Sequence, residues 1–344
     1  MANRPTITDL AAAAEVSVAT VARVLNGRAR VREETARRVF EAARAIGYHG
    51  SGLIEMRLQS DRPKLTIGYV LHKEKQAFYQ AFRDEAERAA QQAATLRARA
   101  IVDFSPSQAP SDFVACLERM ADRGVDVVAA TAITHVDVAD CVERIQARGI
   151  PCFALLNDFA QGIRQGYLGL NNMKVGRIAG YMLATAIKKP GKIGVFVGGY
   201  RWHGHELRET GLKSYFRENA QQFTVLDALV NLETRQLTYE ATLDLLDRNP
   251  DLAGIYCAGG GMEGAITALR EARRPGEVAL VVNELTPESR RALIDRYVTM
   301  VISTPLEKLC TELVALAAAT IQADPKPPPS QHFLQPGLYL PESV

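Results

Sequence analysis

Residues Ser17-Val18-Ala19-Thr20-Val21-Ala22-Arg23-Val24-Leu25-Asn26 set hydroxyl, small apolar and guanidinium side chains at helical spacing. With Val21 and Val24 turned inward, Ser17, Val18, Ala19 and Arg23 share the outer face near the helix start. Such a face suits the major groove. Small apolar groups such as Val18 and Ala19 can touch thymine methyls, and Arg23 can donate to a guanine edge. Thr6, Ser17 and Asn26 are placed for phosphates, which position a protein without specifying sequence.

A second group of residues stands just beyond short apolar runs. It comprises Gln76-Ala77-Phe78-Tyr79, Asn157-Asp158, the stretch 198–206 with Trp202 and then Arg208, Gly259-Gly260-Gly261, and Asn283-Glu284. Flat aromatic faces with Arg, Asn and carboxylate groups are what a polyhydroxylated ring needs. A third pattern, Gly259-Gly260-Gly261-Met262-Glu263-Gly264, matches G-x-G-x-x-G, with Glu284 20 residues past the last Gly. That spacing leaves open an enzyme using NAD or NADP. His203 and His205 have no third ligand at metal-site spacing, so neither a metal nor any other cofactor is expected.

These groups require three kinds of element. Residues 6–47 read as three short helices, capped by Thr6 and Ser17 and stopped at Asn26-Gly27 and Gly47. Leu10, Val16, Val21, Val24, Val39, Ala43 and Ile46 can form one small core. Residues 48–63, with Gly50, Ser51, Gly52, Ser60 and Pro63, read as a linker, with room for a short helix from Leu53 to Leu58. From residue 65 onward, apolar runs at 65–71, 99–104, 125–130, 151–156, 192–197, 223–229, 253–258, 278–282 and 299–302 alternate with helix-length amphipathic segments. That alternation predicts parallel sheets covered on both faces, in two lobes.

The composition is consistent with this plan. Residues 1–62 carry ten Arg and seven acids, whereas the remainder is nearly balanced. The five cysteines are widely spaced, which predicts reduced thiols. The N-terminus leads to no apolar signal segment, and no apolar run approaches membrane-spanning length, so a cytoplasmic protein is expected.

Thr6-Ile7-Thr8-Asp9-Leu10-Ala11, Val16 to Gly27, Val31, Glu34-Thr35 and Gly47-Tyr48 together resemble the headpiece of the lactose-repressor family of bacterial regulators. The resemblance implies an all-α helix-turn-helix headpiece (1–48), a hinge (49–63) and a two-lobed, periplasmic-binding-protein-like α/β effector domain (64–344). The lobes are expected at about 64–165 with 296–325, and at 166–295 with 326–344. It further implies a homodimeric transcription regulator, a repressor, gripping pseudo-palindromic operator DNA and answering to a sugar, polyol or sugar acid.

By family, Val18, Ala19 and Arg23 read bases, within a DNA-contacting set of Thr6, Ser17, Val18, Ala19, Thr20, Arg23 and Asn26. The family's minor-groove leucine falls on Arg57, beside Met56 and Leu58, so either an apolar neighbour or Arg57 itself enters the groove. The effector set it implies is Phe78, Tyr79, Asn157, Asn171, Trp202, Arg208, Gly260, Asn283 and Glu284. Asn171 replaces the usual Asp, and Gly259-Gly260 replaces an Asn-Asp pair. A nucleotide-dependent enzyme and a sugar-binding module without DNA are the alternatives.

Overall fold

The computed structural model describes residues 4–26, 31–60, 62–325 and 327–344; the side chains of Glu33 and of residues 57–60 lie outside that description. The chain divides into two compact units, residues 1–65 with 91–99, and residues 66–90 with 100–344.

The first unit holds helices α1 (Ile7–Ala13), α2 (Val18–Asn26), α3 (Glu33–Ala45) and α4 (Ser51–Ser60). Thr6 and Asp9 cap α1 reciprocally: the Thr6 N–H donates to Asp9 Oδ2 at 2.7 Å, and the Asp9 N–H to Thr6 Oγ1 at 3.3 Å. Glu15 takes φ +51°, turning the chain tightly into α2. The Thr20 N–H then donates to Ser17 Oγ at 3.1 Å, closing the start of α2. Leu10, Ala14, Val21, Val24, Val39, Ala43 and Tyr48 form the core.

The segment read as a linker is instead helical throughout α4, and Ile54, fully buried, inserts into that same core. Burial of one large aliphatic side chain outweighs the weak helix propensity of Gly52, the one glycine in α4. Gly50 has a role of its own: a Cβ there would lie 2.8 Å from the Tyr48 ring. Met56 is 69 % exposed, and the Arg57 side chain, the other candidate for the minor groove, lies outside the described residues.

In the second unit, one lobe is built on a sheet ordered β12 (Ser330–Leu334), β5 (Gly166–Leu170), β4 (Cys152–Leu155), β3 (Val127–Ala130), β1 (Lys64–His72), β2 (Arg97–Ser105). The other is ordered β13 (Gly337–Tyr339), β11 (Met300–Ser303), β10 (Ala279–Asn283), β9 (Leu252–Cys257), β6 (Lys192–Val197), β7 (Thr224–Val225), with β8 (Leu229–Val230) also on β6. Neighbouring strands from β12 to β1 and from β11 to β7 run parallel, and β13 runs antiparallel to β11. The intervening helices are α5 (Ala77–Gln92), α6 (Pro110–Asp122), α7 (Val136–Ala147), α8 (Asn172–Ala186), α9 (His203–Asn219), α10 (Arg235–Arg248), α11 (Met262–Ala272), α12 (Pro287–Ile294) and α13 (Leu306–Gln322). Every residue of β3, β4 and β10 is buried, as strands covered on both faces must be. No helix among the described residues is long and apolar enough to cross a membrane.

The lobe boundaries differ from those expected. β5 and β12 belong to the first lobe, and β11 to the second. The chain thus passes between lobes three times, after β5, after β11 and after β12. β5 and β11 each lie between two strands and are wholly or almost wholly buried, as an interior strand of either sheet would be, so local pattern carries no sign of which sheet takes them.

Because Ile54 ties α4 into the headpiece core, Ile54→Ala should destabilise that unit by about 2–5 kcal/mol. Amide hydrogen exchange of residues 7–45 reads this directly; unchanged protection would mean that α4 is not anchored there.

Candidate functional site

On α2, Ser17, Val18, Ala19, Arg23 and Asn26 are exposed while Val21 and Val24 are buried. Val18, 43 % exposed, is a large apolar side chain left in solvent at the helix start. Ser17 Oγ and Thr20 Oγ1 share a hydrogen bond of 2.9 Å, and Thr6 is occupied in its cap. All three hydroxyls keep lone pairs for further contacts. The face therefore offers apolar contact, one cation and a rim of hydroxyls, the groups that major-groove reading uses.

In the α/β unit a cleft of about 780 Å³, its mouth included, lies between the lobes. Phe78, Tyr79, Asn157, Trp202, Arg208, Gly260, Asn283 and Glu284 all line it. Asn171 does not; its side chain accepts from the Lys174 N–H at 3.1 Å and caps α8. A short amide at a helix start is drawn to the free N–H groups there.

The lining residues have distinct positions. Arg208, 8 % exposed, donates from Nε to Asn172 Oδ1 and from Nη1 to the Ala258 carbonyl, each at 2.7 Å. Its orientation is fixed, and Nη2 keeps N–H groups for a ligand. Asn283 donates to the Cys257 carbonyl at 2.8 Å and to Tyr256 at 3.2 Å, which leaves its buried Oδ1 without a partner. Thr131 Oγ1, also buried on the wall, has none either. Trp202 stacks on His72 with ring centroids 4.7 Å apart and donates to Gln108 at 3.1 Å. Tyr79 hydrogen-bonds His72.

Two expected ligand groups are committed to the protein. Asn157 accepts from the Gly204 N–H at 2.8 Å and donates to Ala132, tying the lobes together. Glu284 accepts from the Thr304 N–H at 2.8 Å and hydroxyl at 2.7 Å, and from Ser303 at 3.2 Å. Burial pushes its carboxyl above the usual range, against the pull of those bonds.

The residues that sequence reasoning missed form a second network at the rim. Glu233 pairs with Lys73 at 3.2 Å and accepts from the Gly260 N–H at 3.1 Å and from Gln108 at 3.4 Å. Lys73 also donates to the carbonyls of Leu232 and Glu233 at 3.0 Å, and Gln76 to the latter at 3.3 Å. Lys73, Gln76 and Gln108 come from the first lobe, Glu233 and Gly260 from the second. The Gly198 N–H donates to His205 Nδ1, so the imidazole proton sits on Nε2, 3.7 Å from Glu233.

Glycine makes the room: a Cβ at Gly198 would lie 2.5 Å from Glu233 Cγ, and one at Gly259 would lie 2.4 Å from His205 Cε1. Those glycines were the available signal that a side chain from elsewhere fills their space. Lys73, Leu232, Glu233 and Glu284 all take positive φ, so strained backbone gathers at this cleft. Burial would raise the Glu233 carboxyl, but Lys73 and the imidazoles hold it down at about 2. Desolvation lowers both His72 and His205 to about 4.

The glycine run 259–264 is accounted for by the same packing. Gly261, at φ +89°, would strike Thr238 with a Cβ, Gly264 would strike the α10 backbone, and the N–H of Gly260 is taken by the Glu233 carboxylate. A side chain thus stands where a dinucleotide's phosphates would lie.

Residues 6–51 match the family of bacterial regulatory proteins called the lacI family, and residues 67–325 match a periplasmic binding protein domain. The chain belongs to the lacI family of bacterial regulatory proteins. It is a DNA-binding transcription regulator. It is 26 % identical over 270 residues to the HTH-type transcriptional regulator GalS of Salmonella typhimurium, covering 77 % of this chain and 75 % of that one. It is 30 % identical over 201 residues to an uncharacterised HTH-type regulator of the aml 5′ region of Streptomyces limosus, covering 58 % and 54 %.

Among solved structures, the α/β unit of this lacI-family regulator resembles two solute-binding proteins. One is from Burkholderia graminis in complex with D-arabinose, with TM-score 0.75, 18 % identity, and 82 % and 97 % of the chains covered. The other is from Actinobacillus succinogenes with bound D-allose, with TM-score 0.72, 21 % identity, and 81 % and 98 % covered. At those identities the likeness shows the fold.

The buried imidazoles give a pH prediction. Their folded values, near 4, lie below the ordinary 6.5, so the native state binds fewer protons in between. Their contribution to stability is complete above about pH 6.5 and is lost as pH falls towards 4. Glu233, held near 2 rather than 4.5, extends the loss below 4.5. Calorimetry should show the melting temperature of the α/β unit falling steadily from about pH 7 to pH 5; a flat profile would contradict buried neutral imidazoles.

Proposed function

We propose that this regulator is a cytoplasmic homodimeric repressor whose operator affinity is set by a small polyhydroxylated effector in the interlobe cleft. The observation that carries the reading is the fixed Arg208 with unspent N–H groups, facing the same cleft as the unpartnered Thr131 Oγ1 and Asn283 Oδ1. Ligand hydroxyls can donate to and accept from these groups. The solute-binding proteins of like fold, bound to D-arabinose and D-allose, support a carbohydrate.

The reading assigns no catalysis. The cleft's carboxylates at Glu233 and Glu284 are spent on protein donors, and His205 on the Gly198 N–H. Two headpieces are required to read a two-fold operator, which argues for the dimer. Effector and DNA affinities must change each other by the same factor.

Salt-sensitive binding to a palindromic promoter fragment tests the DNA role, and a thermal-shift screen of pentoses, hexoses, polyols and sugar acids tests the effector. Arg23→Ala should cost about 1–3 kcal/mol at one operator position and relax specificity there; a uniform loss on all sequences would make Arg23 a phosphate contact. Arg208→Ala should leave operator binding intact and abolish the effector's influence on it, measured by fluorescence anisotropy. An unchanged response would remove Arg208 from the ligand site.

A further inference from the structure

The charges around the cleft are unevenly disposed. Among the described lining residues Arg208 is the one Lys or Arg, against Glu233, Glu263 and Glu284. Glu233 lines both the inner cleft and an outer hollow at its mouth, whereas its partner Lys73 lines only the outer one. Seen from inside, the ion pair therefore presents its negative end. His205 and His72 add no positive charge, since burial keeps both imidazoles neutral near neutral pH.

The Gly260 N–H meets Oε1 of Glu233 and Lys73 meets Oε2, so an amide, with one acceptor oxygen, could satisfy only one of the two. Burying a charge is costly unless it is fully paired. Here the charge is kept and is met by Lys73, Gln108 and the Gly260 N–H.

We propose that Glu233 is a specificity-determining residue of the cleft, which admits uncharged polyhydroxylated rings and turns away sugar acids. The inference rests on the effector reading above and narrows it. A carboxylate on the ligand would be placed, desolvated, beside a carboxylate on the wall, with Lys73 behind Glu233 and Arg208 as the one cation among the described lining residues. In a medium of reduced dielectric, repulsion between like charges a few ångströms apart amounts to at least about tenfold in affinity.

The test is isothermal titration of the full-length protein with D-glucose, D-galactose and D-mannose, each against its uronic acid. The wild type should prefer a neutral sugar over the matching acid by about tenfold or more. Glu233→Gln should shrink that preference by about tenfold, because Lys73 is left unpaired and Arg208 unopposed. Operator binding and thermal unfolding establish that the variant is folded. Should it fail to fold, Lys73→Met keeps the carboxylate, removes its cation, and should widen the preference further. An acid that binds the wild type as well as its neutral counterpart overturns the proposal and leaves the effector reading standing. So does a preference that Glu233→Gln leaves unchanged, or that Lys73→Met narrows. If no neutral or acidic sugar binds, the effector reading falls and the proposal with it.

Discussion

A carboxylate taken out of water must be met by donors, and the donors of Glu233 come from both lobes. Lys73 and Gln108 stand on the first lobe and Gly260 on the second. The interlobe arrangement is thus fixed from the rim by one charged side chain, and from within by Asn157, which holds Gly204 across the same gap. Trp202 strengthens the join. It starts α9 of the second lobe yet packs into the hydrophobic core of the first. Among the described lining residues, the groups held without a partner include the outer edge of Arg208 and the buried Thr131 Oγ1 and Asn283 Oδ1. Those groups make the cleft a site rather than a crevice.

The glycines around it follow from the same constraint. Gly198, Gly259 and Gly260 leave a slot that His205 and Glu233 occupy, and Gly261 and Gly264 let α10 and α11 approach. A run that spells a dinucleotide fingerprint is here a set of close contacts, one of them against the carboxylate. That carboxylate reaches the loop from the segment before α10.

Much of the candidate site was legible because it follows strand ends, and strand ends show in the apolar runs. Phe78, Asn157, Arg208 and Asn283 were reachable that way, as were the exposed residues of α2, where a capped helix with Val21 and Val24 inward leaves only one outer face. Glu233 was not, since the run before it breaks into two strands of two residues each, Thr224–Val225 and Leu229–Val230, and the rule looked short of it. Asn171 was misread because an amide at a helix start serves as a cap as readily as a ligand group. The hinge differs in the other direction: two glycines suggest a plain linker, whereas Ile54 anchors α4 in the headpiece core and Gly50, in the turn before it, packs against the Tyr48 ring.

The sequence by itself determined the reading helix, the alternation of strands and helices, and the family, because each depends on residues close together in the chain. Periodicity, caps and stops are local, and a small three-helix core leaves few ways to arrange them. The tertiary structure decided which sheet takes β5, β11 and β12, which polar groups of the cleft are already spent, and that Lys73 meets Glu233 across 160 residues of chain. Those are matters of pairing in space. A hydrogen bond consumed by a neighbouring backbone is invisible until the backbone has been placed, and a buried charge names its partner only when the lobes are set side by side.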